Sequence, residues 1–147
     1  MPRVDRRFAF AGAVTATAVT TVLTPGIASA TPASGVSGTV IGKTTILGTD
    51  SVHQQITIQP GGSTGWQWHD GTLAVYVEQG SVTHNDASCT ATDVFSQNTS
   101  FVEAGGADNV QIDRNLGTTP VVLDVEYTNP AGSPLAQDAP NPGCGFQ

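Results

Sequence analysis

The sequence has few positive charges. Of its 147 residues, five are Lys or Arg and twelve are Asp or Glu. Beyond residue 30, Lys43 and Arg114 stand against eleven acidic residues, a net charge of −9. Neither the phosphate contacts of a nucleic-acid-binding protein nor the polybasic attraction to an anionic membrane is available to such a chain. We therefore expect no nucleic-acid partner and no membrane partner for the part of the chain beyond residue 30.

The sequence also lacks an apolar run long enough to span a membrane comfortably. Its apolar stretch, residues 8–23, follows three arginines and ends before Pro25. The small-residue pattern Ala28-Ser29-Ala30 comes next. This arrangement is typical of a secretory signal peptide cleaved after Ala30. Residues 1–30 therefore predict a secreted, extracellular protein, and an uncleaved anchor is the alternative.

Cysteine is scarce, and Cys89 and Cys144 are the two that the chain contains. An even number of cysteines in an exported chain predicts a disulfide bond. The bond would close a loop of about 55 residues and add roughly 3–4 kcal/mol in the chain-entropy model. A metal-binding or redox-active pair is the alternative, which the long separation without a Cys-x-x-Cys motif disfavours.

No segment has the periodicity of an amphipathic helix. Residues 31–38 are rich in Ala, Ser, Pro and Gly and predict a flexible spacer. Beyond them, segments rich in β-branched and aromatic residues alternate with Gly, Asn and Asp, which predicts strands over 39–47, 52–58, 72–78 and 120–127. Many short, half-buried strands indicate one all-β domain, a sandwich or small barrel, over residues 39–147.

The strand patterns also predict which side chains share a face. Leu73, Val75 and Val77 lie on one face of their strand because successive side chains point to opposite sides. Gln79-Gly80 predicts a hairpin turn after this strand.

Residues 61–80 carry the most informative motif. Gly61 is followed by five residues, Gln67-x-His69, three residues, Leu73, six residues and Gly80. This frame resembles the first signature of the cupin superfamily, in which two histidines and a glutamate occupy the positions of Gln67, His69 and Leu73. The counterpart of the second signature runs from Asn98 to Asn115 and has Gln111 where the family has its last histidine.

The resemblance implies a single-domain cupin-type jelly-roll β-barrel or sandwich, similar to small exported bacterial cupins. It further implies a cavity lined by Gln67, His69, Leu73 and Gln111. In the family this face binds a divalent metal, because imidazole and carboxylate groups suit first-row ions. In this sequence the amides of Gln67 and Gln111 would join His69 as the ligands of such a metal. We therefore expect a degraded metal site without a cofactor, and a bound divalent metal is the alternative.

Three functions follow from these residues. The first is a small-molecule-binding barrel, since a few convergent polar groups in an apolar interior are typical of a ligand pocket. The second is a metal-dependent enzyme, dioxygenase- or isomerase-like, that uses His69 with Gln67 and Gln111. The third is an interaction module that works through Trp66 and Trp68, and a homodimer is compatible with it. The sequence leaves open whether the protein is an enzyme.

The remaining ionisable groups are less informative. His69 beside Asp70 is a candidate general base near neutral pH. A histidine that is simply hydrogen-bonded inside the barrel is the favoured alternative. We predict that His53 and His84 are exposed polar residues, with His84 in a turn.

Overall fold

The computed structural model describes residues 29–90 and 92–147, so nearly all of the predicted signal peptide lies outside the described residues. In these two ranges the regular secondary structure is entirely β, as predicted, and no helix is long and apolar enough to cross a membrane. The described part of the chain contains ten strands: β1 (Ser34–Ile46), β2 (Thr49–Ser63), β3 (Gln67–Trp68), β4 (Thr72–Gln79), β5 (Ser81–Asp86), β6 (Thr92–Ser96), β7 (Ser100–Glu103), β8 (Gln111–Arg114), β9 (Val121–Pro130) and β10 (Gln137–Asp138).

The strands pair antiparallel in one sheet that rolls into a nearly closed barrel. Its long central part is β2–β9–β4, in which Ile56 lies opposite Leu123 and Val77 lies opposite the same Leu123 from the other side. The short strand β8 connects three neighbours, because it pairs with β2, β3 and β5. The ends of the short strands therefore meet around β8, where the candidate site lies.

The inward faces of β2, β4 and β9, with one residue each from β5 and β7, form the larger of two hydrophobic clusters, which we call the large core. Leu73, Val75 and Val77 are buried on β4, whereas the alternate residues point outward, as the strand pattern predicted. The large core consists of Val52, Ile58, Leu73, Val75, Val77, Val82, Phe101, Val121, Leu123, Val125 and Tyr127. Burial of this apolar surface is the main force that holds the long strands together.

A second cluster, the small core, consists of Trp66, Ile112, Ala139 and Cys144. The predicted disulfide bond between Cys89 and Cys144 is confirmed and anchors the C-terminal tail to this cluster. The Phe146 ring stacks on Trp66, with 5.8 Å between the ring centroids. The Arg114 guanidinium lies over the same Phe146 ring, 3.8 Å from its centroid. Trp66 is fully buried, so this tryptophan is a core residue.

Two details differ from the sequence predictions. β1 begins at Ser34, within the predicted spacer, because the backbone of residues 34–38 pairs with β2. The predicted hairpin at Gln79-Gly80 is wrong, since β4 pairs with β7 and β9 whereas β5 pairs with β6 and β8. Gly80, with a φ of 80°, redirects the chain from one set of strands to the other, a conformation that glycine adopts easily.

The tip of the β1–β2 hairpin lies outside both cores. Most of β1 is exposed, and the turn residue Leu47 is fully exposed with a φ of 50°. Asp50, near this tip, is buried. Its carboxylate accepts hydrogen bonds from Lys43 (2.7 Å), Thr45 and the backbone N–H of Gly132. These partners, the lysine first, lower the pKa of Asp50 from 3.8 to about 2.

Candidate functional site: a buried polar cluster

Strands β3, β5, β7 and β8 bring a set of polar side chains into contact, with His69 directly after β3. We call this set the polar cluster. Its members are Gln67, His69, His84, Glu103, Gln111 and Asp113. The strand register explains the meeting, since Gln67 lies opposite Gln111 on the paired strands β3 and β8, and His84 lies opposite Asp113 on β5 and β8.

Glu103 is the centre of the polar cluster. Glu103 is 3% exposed, and Gln111 Nε2 donates a hydrogen bond to its Oε2. The same oxygen lies 3.2 Å from His69 Nε2, whereas Oε1 lies 3.6 Å from His84 Nδ1. Both oxygens of one buried carboxylate therefore face imidazole nitrogens on opposite sides.

The local backbone brings His69 to this carboxylate. Gly105, two residues after Glu103, lies so close to Gly71 that a Cβ at Gly105 would be 2.6 Å from the Gly71 backbone. Because Gly105 has no side chain, the loop after β7 can approach the loop after β3. The N–H of Gly106 donates to the carbonyl of His69 at 2.7 Å and fixes this approach.

His69 is 1% exposed, and its two ring nitrogens have different partners. Nδ1 lies 2.7 Å from the carbonyl oxygen of Leu135, which can only accept, so Nδ1 carries a proton. Nε2 then faces Glu103 at 3.2 Å and the amide of Gln67 at 3.5 Å. The backbone carbonyl therefore holds the ring with Nε2 directed at the carboxylate.

His84 and Asp113 form the second half of the polar cluster. His84 Nδ1 lies 2.9 Å from Asp113 Oδ1, and the carboxylate of Asp113 is buried. The His84 ring packs against the rings of Phe101 and Phe95, at centroid distances of 5.5 and 6.4 Å. These contacts restrict the orientation of the imidazole and direct Nδ1 towards the two acids.

Burial and mutual charge change the acidity of the polar cluster. Burial, together with the nearby Asp113 carboxylate, raises the pKa of Glu103 to about 7, although its contacts with the histidines oppose the rise. Burial alone would lower the pKa of His69, but the hydrogen bond and charge of Glu103 outweigh it and raise that pKa. Burial is likewise outweighed at His84, where Asp113 raises the pKa. Glu103, His69 and His84 therefore each hold a proton more tightly than the same group does in water.

Two cavities border the polar cluster. One of about 300 Å³ is lined by His84, Glu103 and Gln111, together with residues 86–88 and 108–110. The other, of about 210 Å³, reaches Gln67 beside Tyr127. A cavity of about 590 Å³ elsewhere is lined by Ser, Thr, Asn, Gln, Gly, Val and Leu, without a titratable side chain. We therefore place the candidate site at the polar cluster.

The structure brings together three of the four residues that the cupin resemblance implied. Gln67, His69 and Gln111 belong to the polar cluster, whereas Leu73 packs in the large core. Sequence reasoning missed Glu103, His84 and Asp113. The prediction that His84 is an exposed turn residue is wrong, because His84 lies in β5 and its side chain is 17% exposed. His53, which was predicted to be exposed, is half-buried on β2, with a side chain that is 44% exposed.

A metal at the family's ligand positions does not fit these residues. Leu73 offers no ligand atom, and the Gln111 amide already donates to Glu103. Amide oxygens are weak ligands for the metals that two imidazoles and a carboxylate would bind. A different group, His84 Nδ1 with one oxygen each of Glu103 and Asp113, has its atoms within 4.8 Å of one another.

Comparison with known proteins shows the fold. No family model and no curated protein sequence matches the chain. Solved structures with cupin or double-stranded β-helix domains do match, and the chain therefore has the cupin fold that the motif resemblance implied. One is a cupin-2 domain protein from Rhodospirillum rubrum, 15% identical, with a TM-score of 0.58 over 72% of this chain and 66% of that one.

Two further structures illustrate the range of proteins with this fold. The polyketide cyclase RemF from Streptomyces resistomycificus is 15% identical, with a TM-score of 0.58 over 76% of this chain and 79% of the cyclase. An uncharacterized double-stranded β-helix protein from Klebsiella pneumoniae is 17% identical, with a TM-score of 0.57 over 71% of this chain and 84% of that one. At such identities the likeness concerns the fold, and function must be argued from the site.

Proposed function

We propose that this cupin-fold protein binds a small polar molecule in the 300 Å³ cavity beside the polar cluster. The observation that supports the proposal is the position of Glu103, whose buried carboxylate is held by His69 and Gln111 and also lines the cavity. A carboxylate fixed in this way is oriented before a ligand arrives, so binding costs little side-chain entropy.

The cavity limits the size and chemistry of the ligand. A volume of about 300 Å³ is at the lower end for small-molecule sites, which favours a compact metabolite over a sugar chain or peptide. Glu103 and Asp86 accept hydrogen bonds, and Asn109 and Gln111 also present amides, so hydrogen-bond donors on the ligand find partners here. The ligand that we propose is therefore small and rich in donor groups.

A ligand-observed NMR screen with small polar metabolites tests this proposal. We expect hits with the wild-type protein that are lost in Ala104→Phe, because the new ring occupies the cavity from an exposed wall position. His53→Ala is the matched control, since His53 lies outside this cavity and its loss should leave the hits unchanged. An absence of hits, or hits that persist in Ala104→Phe, would contradict the proposal.

A metal-dependent enzyme is the second candidate, favoured by the group His84, Glu103 and Asp113. One matching structure is an oxalate oxidase in complex with glycolate, which shares this fold at 19% identity. The version of this candidate that uses His69, Gln67 and Gln111 has the less suitable ligands. Elemental analysis of protein purified without chelator tests the candidate, and protein free of metal after incubation with zinc, manganese and iron would contradict it.

We also propose that the protein is secreted through the signal peptide of residues 1–30. The disulfide bond supports this proposal, because such bonds persist in oxidising compartments. Mass spectrometry of the protein from culture medium should give a chain that begins at Thr31. A cell-retained protein with an intact N-terminus would contradict secretion.

A further inference from the structure

Two buried carboxylates lie together in the polar cluster without a lysine or arginine between them. Glu103 is 3% and Asp113 is 5% exposed. Apart from histidine, the basic side chains in the described ranges are Lys43, which pairs with Asp50, and Arg114, which donates to Asn85. Burial of two acids is costly unless a cation compensates their charge.

We propose that His84, Glu103 and Asp113 form a divalent-metal site that is displaced from the ligand positions of the cupin motifs. His84 Nδ1 lies 2.9 Å from Asp113 Oδ1 and 3.6 Å from Glu103 Oε1. Ligand atoms around an ion at about 2.0–2.2 Å are about 3.0–3.5 Å apart, so these separations already approach those of a coordinated ion. The inference deepens the second candidate function, because it assigns the ligand atoms of that metal group and requires neither an organic ligand nor catalytic activity.

The arrangement has the features of an open metal site. Three protein ligands leave at least one coordination position free, and His84 and Glu103 both line the 300 Å³ cavity. A ligand set of one imidazole and two carboxylates suits Zn²⁺, Mn²⁺ and Co²⁺ rather than a soft ion, which would prefer sulfur ligands. The free position therefore faces the space in which a small molecule would be held.

Neighbouring side chains hold the ligands in place. Glu103 Oε2 contacts His69 and Gln111, which leaves Oε1 directed at His84. Coordination through Nδ1 of His84 requires the ring proton on Nε2, and the packed rings of Phe95 and Phe101 fix the plane of that imidazole. His69 accordingly orients the Glu103 carboxylate and does not bind the ion.

The test is titration of the full chain with Zn²⁺ alone by calorimetry and with Co²⁺ alone by visible absorption. We expect one ion per chain. Asp113→Asn and His84→Gln should each weaken binding by about 100-fold or more, since loss of an outer partner of a ligand already costs about 10- to 100-fold. His53→Gln, on the outside of β2, is the matched histidine control and should bind as the wild type does.

The variant His69→Gln distinguishes a metal site at His84, Glu103 and Asp113 from a metal site at the ligand positions of the cupin motifs. A displaced site loses less affinity in His69→Gln than in Asp113→Asn, whereas a site at the motif residues loses more. Circular dichroism establishes that each variant is folded, and having two ligand variants on different strands keeps the test decisive if one fails to fold. Absence of Zn²⁺ and Co²⁺ binding, or a larger loss in His69→Gln than in Asp113→Asn and His84→Gln, would overturn the proposal.

Discussion

The large core and the small core stabilise the barrel by different means. The large core packs eleven buried residues between long strands, whereas the small core has four and relies on the disulfide bond and the Trp66–Phe146 stack. The polar cluster takes Glu103 from β7, which pairs with the large-core strand β4, and Gln111 and Asp113 from β8, which carries Ile112 of the small core. The relative position of the two cores thus sets the geometry of the candidate site.

The largest effect should come from a truncation in the large core. Leu123 lies on β9 between β2 and β4 and is almost fully buried. Leu123→Ala should lower the free energy of unfolding by about 2–5 kcal/mol, because it removes buried methyl groups and leaves a cavity. Urea denaturation measures the change. Val102→Ala, at a position 69% exposed on β7, is the control and should change stability little.

Removal of the disulfide bond should be nearly as costly but more local. Cys89→Ser with Cys144→Ser should lower the unfolding free energy by roughly 3–4 kcal/mol in the chain-entropy model for a separation of 55 residues. Hydrogen exchange should increase most at residues 139–146 and around Trp66, with smaller changes in β2, β4 and β9. Equal increases throughout the barrel would show that the two cores are one cooperative unit.

Loss of a polar-cluster histidine should have an intermediate effect. His69→Ala leaves the Leu135 carbonyl and one contact of Glu103 without the imidazole. We expect a folded protein that is less stable by about 1–3 kcal/mol, the usual cost of leaving buried polar groups unpaired. Thermal melting measures this loss against His53→Ala, because the half-buried ring of His53 lies outside the polar cluster and should contribute less. Global unfolding of His69→Ala would instead make this residue essential to the fold.

The smallest effect should be an acid-dependent change in stability at the tip of the β1–β2 hairpin, outside both cores. The folded-state pKa of Asp50 is lowered from 3.8 to about 2, so its stabilising contribution is present above pH 3.8 and is lost as the pH falls towards 2. Asp50→Asn should remove this part of the acid dependence in denaturation curves collected across that interval. Asp138→Asn, at an exposed acid, is the comparison, and identical curves for the wild type and Asp50→Asn would contradict the expectation.

Much of the fold was predictable because local patterns determine it. Alternation placed Leu73, Val75 and Val77 on a buried face, and the even cysteine count identified the Cys89–Cys144 bond. The passage of the chain from one set of strands to the other at Gln79-Gly80 was not predictable in this way, since a glycine turn is compatible both with a hairpin and with such a crossing. Pairing partners that are distant in sequence decide between the two.

The candidate site was predictable only where a family motif covered it. Gln67, His69 and Gln111 were found through their spacing, but Glu103 and Asp113 lie outside those positions and look like ordinary acidic strand residues. The alternation Phe101-x-Glu103 and Gln111-x-Asp113 was the available signal, because each acid shares the face of a buried neighbour. What the sequence could not show is that β5, β7 and β8 converge, which places His84 beside both acids.

The exposed turn at Leu47-Gly48 has a practical consequence for protein engineering. Both residues adopt left-handed backbone conformations at the tip of the β1–β2 hairpin, and Leu47 contributes nothing to either core. Exposed turns of this kind tolerate inserted segments well. A fluorophore or an affinity peptide introduced there would report on the barrel from a distance, leaving the disulfide-anchored tail and the cavity wall in their native arrangement.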